Sequence, residues 1–454
     1  MLLVSPRPMH RSILADAFPG FTLVAVLLAA SCSSQGSSSD PTGAASRPSA
    51  SGVSTAPSMA PPAGETQVKA QDLAQRLILL DGHIDVPDRL VKTLDTKGAI
   101  AEDLSQRTPK GDFDWLRATA GGLDAPFMSI YVPADKEKDG AKELAEKLIG
   151  IVESIAAKWP DKFALARSPA DVRRNTSLGR ISLPMGMENG APIESNLENV
   201  KYFHDRGIRY ITLTHSKDNH ISDSSYDERH THKGLSEFGK KVVGEMNRVG
   251  IMVDVSHISD QAFWQVMDLS RVPVIASHSS CRHFTPGFER NMSDDMIKAL
   301  AKNGGVIQIA FGSSFIDGEI QKVRREARKR FDVEREKRKL KEGSPEADAF
   351  REEFDKTEMP KRYATLKQVA DHIDHVVKLV GVAHVGLGSD FDGVGDSLPE
   401  GLKDVSGYPN LIRALLERGS SEADIEKIAS TNVLRVWQAV EDHGRQAQGA
   451  PTKP

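Results

Sequence analysis

Eight short apolar runs recur from about residue 67 onward, and amphipathic helical patterns lie between several of them. The runs, in chain order, are Leu77–Leu80, Phe127–Val132, Ile181–Met187, Arg209–Leu213, Ile251–Val255, Val272–Ala276, Gly305–Phe311 and His384–Leu387. Before the last run, the segment 366–380 carries apolar residues at helical spacing. Buried strands that alternate with helices are typical of a parallel sheet. Eight such units predict an α/β fold, a (β/α)₈ TIM barrel.

Polar side chains stand at the carboxyl ends of most of these runs. In chain order they are His83 and Asp85, Glu188, His215, His257, His278 and Asp390. A (β/α)₈ barrel carries its catalytic groups at the carboxyl ends of its strands. We therefore expect these residues to meet at one rim of the barrel.

The same residues are of the types that bind metal ions. Residues i and i+2 of an extended strand point to one side, so His83 and Asp85 can reach one ion together. His257 and His278 lie about one strand–helix unit apart, and Glu188, on a strand between the two groups, can bridge two ions with its two oxygens. Imidazole and carboxylate ligands without thiolate suit zinc first, then cobalt or manganese. The pattern predicts a two-metal hydrolase centre that lowers the pKa of a shared water.

Five segments carry a family resemblance when they are taken in order. They are residues 81–85 (Asp-Gly-His-Ile-Asp), 210–215, 253–257, 277–279 and 388–393 (Gly-Ser-Asp-Phe-Asp-Gly). With these segments the chain resembles the membrane (renal-type) dipeptidases from about Ala70 to about Glu441. The resemblance implies a metal-dependent hydrolase barrel that cleaves dipeptides and whose subunits pair as a homodimer.

The resemblance also implies which residues hold the metal. His83 and Asp85 would bind one zinc ion, His257 and His278 the other, and Glu188 would bridge them. Each subunit would then carry two Zn²⁺, and a hydroxide shared by the ions would attack the peptide bond.

Three residues are implied to act on the substrate. His215 would contact it near the scissile carbonyl, Arg290 would hold its terminal carboxylate, and Asp390 would accept and return the proton of the attacking water. This chemistry is sound by itself, because the forked donors of a guanidinium match a carboxylate and an aspartate can carry a proton to a leaving amine.

One segment departs from the family pattern. In animal members the bridging glutamate precedes two glycines and a histidine, whereas Glu188 precedes Asn189, Gly190 and Ala191. We expect the metal site to be retained and the rim beside it to differ, so that substrate preference cannot be copied from the animal enzymes.

The amino terminus has the pattern of an exported segment. Basic residues precede the apolar run 21–30, which is too short to span a bilayer, and small residues follow it. Cys32 comes directly after Ala-Ala-Ser, which resembles a bacterial lipoprotein signal with Cys32 as the lipidated residue. We expect residues 1–31 to be removed and the protein to be lipid-anchored at the periplasmic face of a bacterial membrane, or else secreted.

The rest of the chain divides into three parts. Residues 32–66 are rich in Ser, Pro, Gly and Ala and cannot bury enough apolar surface to order themselves, so we expect a flexible tether. The catalytic barrel is expected at 67–442 and a disordered tail at 443–454.

The charge distribution gives no reason to expect nucleic acid as a partner. The net charge is −4, from 59 basic and 63 acidic residues. Residues 322–362 are dense in charges of both signs and show little apolar periodicity. We interpret them as a solvated, charged helical insertion between strands 7 and 8.

Two other functions fit parts of the pattern. Another amidohydrolase-type barrel, such as a lactonase, a dihydroorotase-like enzyme or a deaminase, often bridges its metals with a carboxylated lysine on the fourth strand. The run 209–213 contains no lysine, which counts against this class. A non-catalytic lipoprotein that binds peptides or metal is the other alternative, and the intact ligand set together with Asp390 argues against it.

Overall fold

The computed structural model describes residues 63–341 and 344–449. The predicted signal segment, Cys32 and the tether up to residue 62 lie outside the described residues. Within the described ranges, no helix combines the length and the apolar character needed to cross a membrane.

Ten strands occur in the described part of the chain, and eight of them form one parallel sheet in chain order. The strands are β1 (Leu79–Ile84), β2 (Leu123–Tyr131), β3 (Phe163–Leu165), β4 (Ile181–Leu183), β5 (Met185–Glu188), β6 (Ile208–Thr212), β7 (Met252–Asp254), β8 (Ile275–Ser279), β9 (Val306–Ile309) and β10 (Val385–Leu387). Strands β3 and β4 pair with each other outside this sheet. Each of the eight predicted runs contributes one strand to the large sheet.

The large sheet closes at its carboxyl rim. The N–H of Asp390 donates to the carbonyl of His83 (3.1 Å), and the N–H of Asp85 donates to the carbonyl of Phe391 (2.8 Å). These bonds join the segment after β10 to the end of β1, where Ile84 and Phe391 form a parallel bridge. The predicted TIM barrel is therefore confirmed.

Helices connect the strands and flank the barrel. They are α1 (Ala63–Arg76), α2 (Val86–Val91), α3 (Trp115–Gly121), α4 (Ala141–Lys158), α5 (Pro169–Ser177), α6 (Glu198–Arg206), α7 (Glu237–Val249), α8 (Asp260–Leu269), α9 (Asp294–Lys302), α10 (Ser313–Ile316), α11 (Gly318–Lys337), α12 (Pro345–Thr357), α13 (Leu366–Val380), α14 (Tyr408–Glu417), α15 (Glu422–Glu426) and α16 (Asn432–Ala447). Ser293 caps α9 by accepting the N–H of Met296.

The third apolar run is two strands rather than one. Its first part is β4, which pairs with β3, and its second part is β5, which lies in the barrel. Pro184 separates them, and its carbonyl accepts the N–H of Met128 on β2. Because proline has no N–H to give to a neighbouring strand, the ladder changes partners at this residue.

Helices extend beyond both predicted boundaries of the barrel. Helix α1 begins at Ala63, inside the predicted tether, and buries Ala70 and Leu73 completely. Helix α16 continues to Ala447, so the predicted tail starts within a helix. The buried Gly444 lies against Gly250, where a side chain would collide with backbone atoms, and this contact holds the helix in place beyond residue 442.

The charged insertion between the seventh and eighth barrel strands is helical, as predicted, but it is not wholly solvated. Helices α11 and α12 bury a small apolar cluster of their own, in which Phe331 packs on Phe350 and Phe354 with ring centroids 5.1 and 5.3 Å apart. The apolar positions are few and widely spaced among charged residues, so the sequence shows no clear periodicity there.

The floor of the barrel supports the site above it. Trp437 of α16 packs on Phe127, which in turn packs on Tyr210, each pair with centroids 5.2 Å apart. A side chain at Gly186 would overlap the Tyr210 ring. The glycine therefore leaves space for Tyr210, whose hydroxyl lies 2.7 Å from Nδ1 of His83.

We expect the buried His372 on α13 to make the protein less stable in acid. Its Nδ1 accepts the N–H of Cys281 and its Nε2 donates to the carbonyl of Ile316. Burial lowers the pKa of His372 to about 4. Between pH 6.5 and 4 the unfolded chain thus takes up a proton that the folded chain does not, so stability falls as pH falls, by up to about 3 kcal/mol.

Thermal unfolding of the wild type and of His372→Gln between pH 4 and 7.5 tests this expectation. The variant should have a lower Tm near pH 7, because the N–H of Cys281 loses its acceptor, and the difference from the wild type should shrink toward pH 4. Parallel Tm curves would contradict the assignment.

Candidate metal centre

Glu188, the last residue of β5, lies at the meeting point of the predicted site residues. It is 4% exposed, and its two oxygens face different histidines. Oε2 lies 3.3 Å from Nε2 of His83. Oε1 lies 3.1 Å from Nε2 of His257 and 3.3 Å from Nε2 of His278. The carboxylate thus lies between His83 on one side and His257 and His278 on the other, which are far apart in the sequence.

His83 and Asp85 form the first group, at the end of β1. Nε2 of His83 lies 3.4 Å from Oδ2 of Asp85, and both side chains are buried. Nε2 of His83 and Oδ1 of Asp85 have no hydrogen-bond partner. With Nδ1 of His83 directed at the Tyr210 hydroxyl, Nε2 remains free to bind an ion.

His257 and His278 form the second group, at the ends of β7 and β8. Their Nε2 atoms lie 2.8 Å apart. The Ser277 hydroxyl donates to Asp254 (2.6 Å) and lies 2.8 Å from Nδ1 of His278. Nδ1 of His278 must therefore be the protonated nitrogen, and its Nε2 presents a lone pair to the centre.

The electrostatics of the centre set the charges of Glu188, His257 and His278. Burial raises the pKa of Glu188, but the surrounding imidazoles lower it well below its ordinary value, so the carboxylate is ionised. Burial lowers the pKa values of His257 and His278 well below the ordinary value. Arg290 and His215 add to the shift of His257, and His83 and Arg290 add to that of His278, so both rings are neutral. Neutral imidazoles beside an ionised carboxylate are the forms that bind a metal cation.

The centre fits metal ions by its donor set. Nitrogen and oxygen atoms that lack hydrogen-bond partners are buried together, and one carboxylate faces both groups. Three sets of possible ligands meet here: His83 with Glu188 and His278, Glu188 with His215 and His257, and His83 with Asp85 and Asp390. Without a cation, clustering these groups would leave buried polar atoms uncompensated.

Asp390 follows β10 and faces the first group. Its backbone has a positive φ of 64°. A side chain at Gly393 would overlap carboxylate oxygens of both Asp85 and Asp390, so the glycine allows the two carboxylates to approach. Burial raises the pKa of Asp390 well above its ordinary value, and the charge of Asp85 raises it further. The residue is thus poised to hold a proton beside the centre.

His215 lies on the open side of the centre, after β6. Its side chain is 20% exposed, against 6% or less for the other three site histidines. Its Nε2 is 3.6 Å from Oε1 of Glu188, and its ring meets the edge of Tyr131 at 4.8 Å. Burial lowers the pKa of His215, so the ring is neutral.

Arg290 is a buried cation at the edge of the centre. It is 3% exposed and donates to the hydroxyl of Ser279 and to the carbonyl of His278, each at 2.7 Å. Its Nε has no hydrogen-bond partner, and its guanidinium carbon lies 5.4 Å from the centroid of Phe315. Among the described residues, no carboxylate forms an ion pair with Arg290. Its guanidinium is therefore available to an anionic group.

Two buried carboxylates that the sequence does not single out organise the site. Asp254 accepts the N–H groups of Ser256 and Ser277 and the Ser277 hydroxyl, which orients His278. Asp81 accepts the N–H groups of His83 and Ser389, and so ties the end of β1 to the end of β10. Both stand inside the resemblance segments. Asp254 lies within an apolar run and Asp81 directly follows one, and a carboxylate in such a position is the signal that could have found them.

The departure from the family pattern beside Glu188 has a structural basis. Asn189 has a φ of 80°, a left-handed conformation that glycine and asparagine adopt most readily. Its amide donates to the carbonyl of Val132 and to Glu137, and its Oδ1 accepts from Asn219. Asparagine can therefore take the place of glycine here while it also ties the rim together.

The loop histidines after β6 stand apart from the centre. Of His220, His230 and His232, only His230 is exposed. His220 packs on Phe238, and Nε2 of His232 bonds the carbonyl of Asn219. None of the three belongs to a possible ligand set among the described residues.

A family model described as membrane dipeptidase (peptidase family M19) matches residues 67–451. The chain is 33% identical over 347 residues to dipeptidase tcpJ of Claviceps purpurea, which covers 75% of this chain and 72% of that protein. It is 31% identical over 396 residues to an uncharacterized dipeptidase of Schizosaccharomyces pombe, which covers 84% of this chain and 86% of that one.

A solved structure has the same fold. The probable dipeptidase PvdM from Pseudomonas aeruginosa superposes with a TM-score of 0.70 at 28% identity, and the match covers 84% of this chain and 99% of that chain.

Proposed function

This chain belongs to the membrane dipeptidase family and is a metallopeptidase, a dipeptidase of that family, and we propose that it works with two zinc ions. His83 and Asp85 would hold one ion, His257 and His278 the other, and Glu188 would bridge them. The observation that carries this proposal is the position of Glu188, whose two oxygens lie 3.1–3.3 Å from histidine nitrogens of the two groups, as expected for ligands that surround a shared cation.

The residues around the ions would divide the chemistry among them. When bound, the two ions would polarise the peptide carbonyl and supply the bridging hydroxide that attacks it. His215 is neutral and open to the cleft, so its N–H can stabilise the oxyanion that develops at the carbonyl. Asp390 would take the proton of the attacking water on its carboxylate and deliver it to the leaving amine.

Arg290 would bind the terminal carboxylate of the substrate. A buried guanidinium with neutral acceptors on one side gains most from an anion on the other, and a dipeptide brings one at a fixed distance from its only peptide bond. This requirement would also confine the enzyme to short peptides.

Arg290→Lys should raise KM for a dipeptide by about ten- to a hundredfold, because one charge-assisted hydrogen bond is lost. The change in kcat should be smaller, since the reacting atoms lie elsewhere. Steady-state kinetics with a dipeptide and with its C-terminal amide measure the effect. The wild type should discriminate strongly between the two, and the variant much less. Equal discrimination by both enzymes would refute the role.

Metal content and turnover together test the proposed function. Purified protein should contain about two zinc ions per chain by elemental analysis, lose hydrolysis of dipeptides after chelation, and regain it with Zn²⁺. A panel that varies the chirality of the second residue would define the substrate. Two bound ions without turnover of any dipeptide would overturn the proposal.

We also propose that the enzyme is exported and held at a membrane by a lipid on Cys32, a residue that lies outside the described part of the chain. The support is the sequence pattern around residue 32. Cells fed a labelled fatty acid should label the wild type and not Cys32→Ser, and the variant should leave the membrane fraction. Label on the variant would contradict this anchor.

A further inference from the structure

A second cluster of metal-binding side chains lies outside the catalytic centre. It consists of His283, Asp294 and His375, whose candidate ligand atoms all lie within 4.8 Å of one another. His283 follows β8 in a short 3-10 turn, Asp294 is the first residue of α9, and His375 lies on α13. Neither the sequence pattern nor the catalytic chemistry assigns these residues a role.

The three side chains converge at the surface. Nε2 of His375 lies 2.8 Å from Oδ1 of Asp294. The rings of His283 and His375 stack with centroids 4.4 Å apart and an interplanar angle of 21°. His283 is exposed, and the side chains of Asp294 and His375 are 39% and 17% exposed. An ion can therefore reach the cluster from solvent.

We propose that His283, Asp294 and His375 bind a divalent transition-metal ion of the zinc class, distinct from the catalytic metals. Two imidazoles and one carboxylate suit zinc, nickel or copper, whereas magnesium and calcium prefer oxygen ligands alone. Three protein ligands leave a position for water, as in open zinc sites. In the metal-free protein the His375–Asp294 hydrogen bond holds two of the ligands in place, and binding replaces its proton with the ion.

The net charge around the cluster favours a cation, although the amino end of α9 lies beside it. The amino end of α9 carries a partial positive charge, which alone would oppose an ion. Asp294 and the adjacent, exposed Asp295 place two carboxylates at this end. Lys298 pairs with Asp295 (3.2 Å), but the full charge of Asp294 alone exceeds the half charge of the helix end and leaves the site attractive to a cation.

The ion would fasten a loop that serves the active site. Residues 280–293 join β8 to α9 and carry Arg290. His372 on α13 already holds the base of this loop through the N–H of Cys281. An ion bound by His375, one helical turn further, and by His283 would tie the outer part of the loop to the same helix, and would restrict the segment that positions Arg290.

Zinc counting in four proteins tests the proposal. Wild type, His283→Ala, His375→Ala and His443→Ala are purified with their resident metals and dialysed to equilibrium against increasing Zn²⁺. His443 is a matched control, because it is a partly exposed helical histidine that belongs to no possible ligand set among the described residues. Wild type and His443→Ala should bind one ion per chain more than the other two variants. If a variant without His283 or His375 still binds the additional ion, its affinity for that ion should be at least about tenfold weaker than that of the wild type, because loss of even an outer-shell partner costs that much.

Hydrogen exchange supplies a readout that is independent of catalysis. Added Zn²⁺ should slow amide exchange over residues 282–293 in the wild type and in His443→Ala, and leave it unchanged in His283→Ala. An equal number of ions bound with equal affinity in all four proteins would overturn the proposal, as would zinc-induced protection that persists without His283. Dipeptide hydrolysis in the same samples reports the catalytic metals separately, so failure at this site is distinguishable from failure of the proposed function.

Discussion

Glu188→Gln should nearly abolish dipeptide hydrolysis while the barrel remains folded. Glutamine has almost the same shape, but its amide nitrogen cannot bind a cation, so one of the two faces of the bridge is lost. We expect kcat/KM to fall by about 10³-fold or more, because several kcal/mol of metal-based stabilisation disappear and each 1.36 kcal/mol is tenfold. The zinc content should fall as well. Steady-state kinetics and elemental analysis on the same preparation measure both effects.

The matched control is His232→Ala. His232 is a histidine of the neighbouring rim loop, hydrogen-bonded to the carbonyl of Asn219 and remote from the ligand sets among the described residues. It should keep most of its activity and both ions. If Glu188→Gln retained wild-type turnover, Glu188 could not be the bridge.

The barrel could be predicted because its strands are buried on both faces and their apolar runs recur with helices between them. The residues at which the strands end could not be predicted in this way. Run one stops at Leu80, whereas β1 continues through Asp81 and His83 to Ile84, all of them buried. A polar residue ends an apolar run in the sequence, but in the fold its hydrogen bonds allow it to stay within the strand. Hydrophobicity therefore places a strand and misses the part that carries the chemistry.

The meeting of the candidate ligands could be predicted for the same architectural reason, since parallel strands present their carboxyl ends at one rim. Their supports could not, because Asp254, Tyr210 and Asp81 act through contacts between strands that are distant in the sequence. The hydrogen bond from Ser277 to Asp254 joins neighbouring strands, and the bond between Tyr210 and His83 crosses the barrel interior. Residue type and spacing along one strand carry no information about such partners.

Asp390→Asn should lower kcat by about 10²–10⁴-fold, the usual contribution of a positioned proton carrier, and leave the metal content unchanged. Asparagine preserves the size of the side chain, and the left-handed backbone at residue 390 accommodates it as well as aspartate. The hydrogen bond from the N–H of residue 390 to the carbonyl of His83 also remains. What is lost is the oxygen that takes and returns a proton. Single-turnover kinetics, together with elemental analysis, separate the chemical step from metal binding.

Asp392→Asn provides the same substitution two residues away on the same loop. Asp392 also has a positive φ, and its Oδ1 accepts the N–H of Asp112 (2.7 Å), a bond that an amide oxygen can still make. We expect kcat close to that of the wild type. If both variants lost activity to the same extent, the cause would be a disturbed loop conformation and not the loss of proton transfer. If Asp390→Asn lost zinc, Asp390 would be a ligand beside His83 and Asp85, and another group would have to carry the proton to the leaving amine.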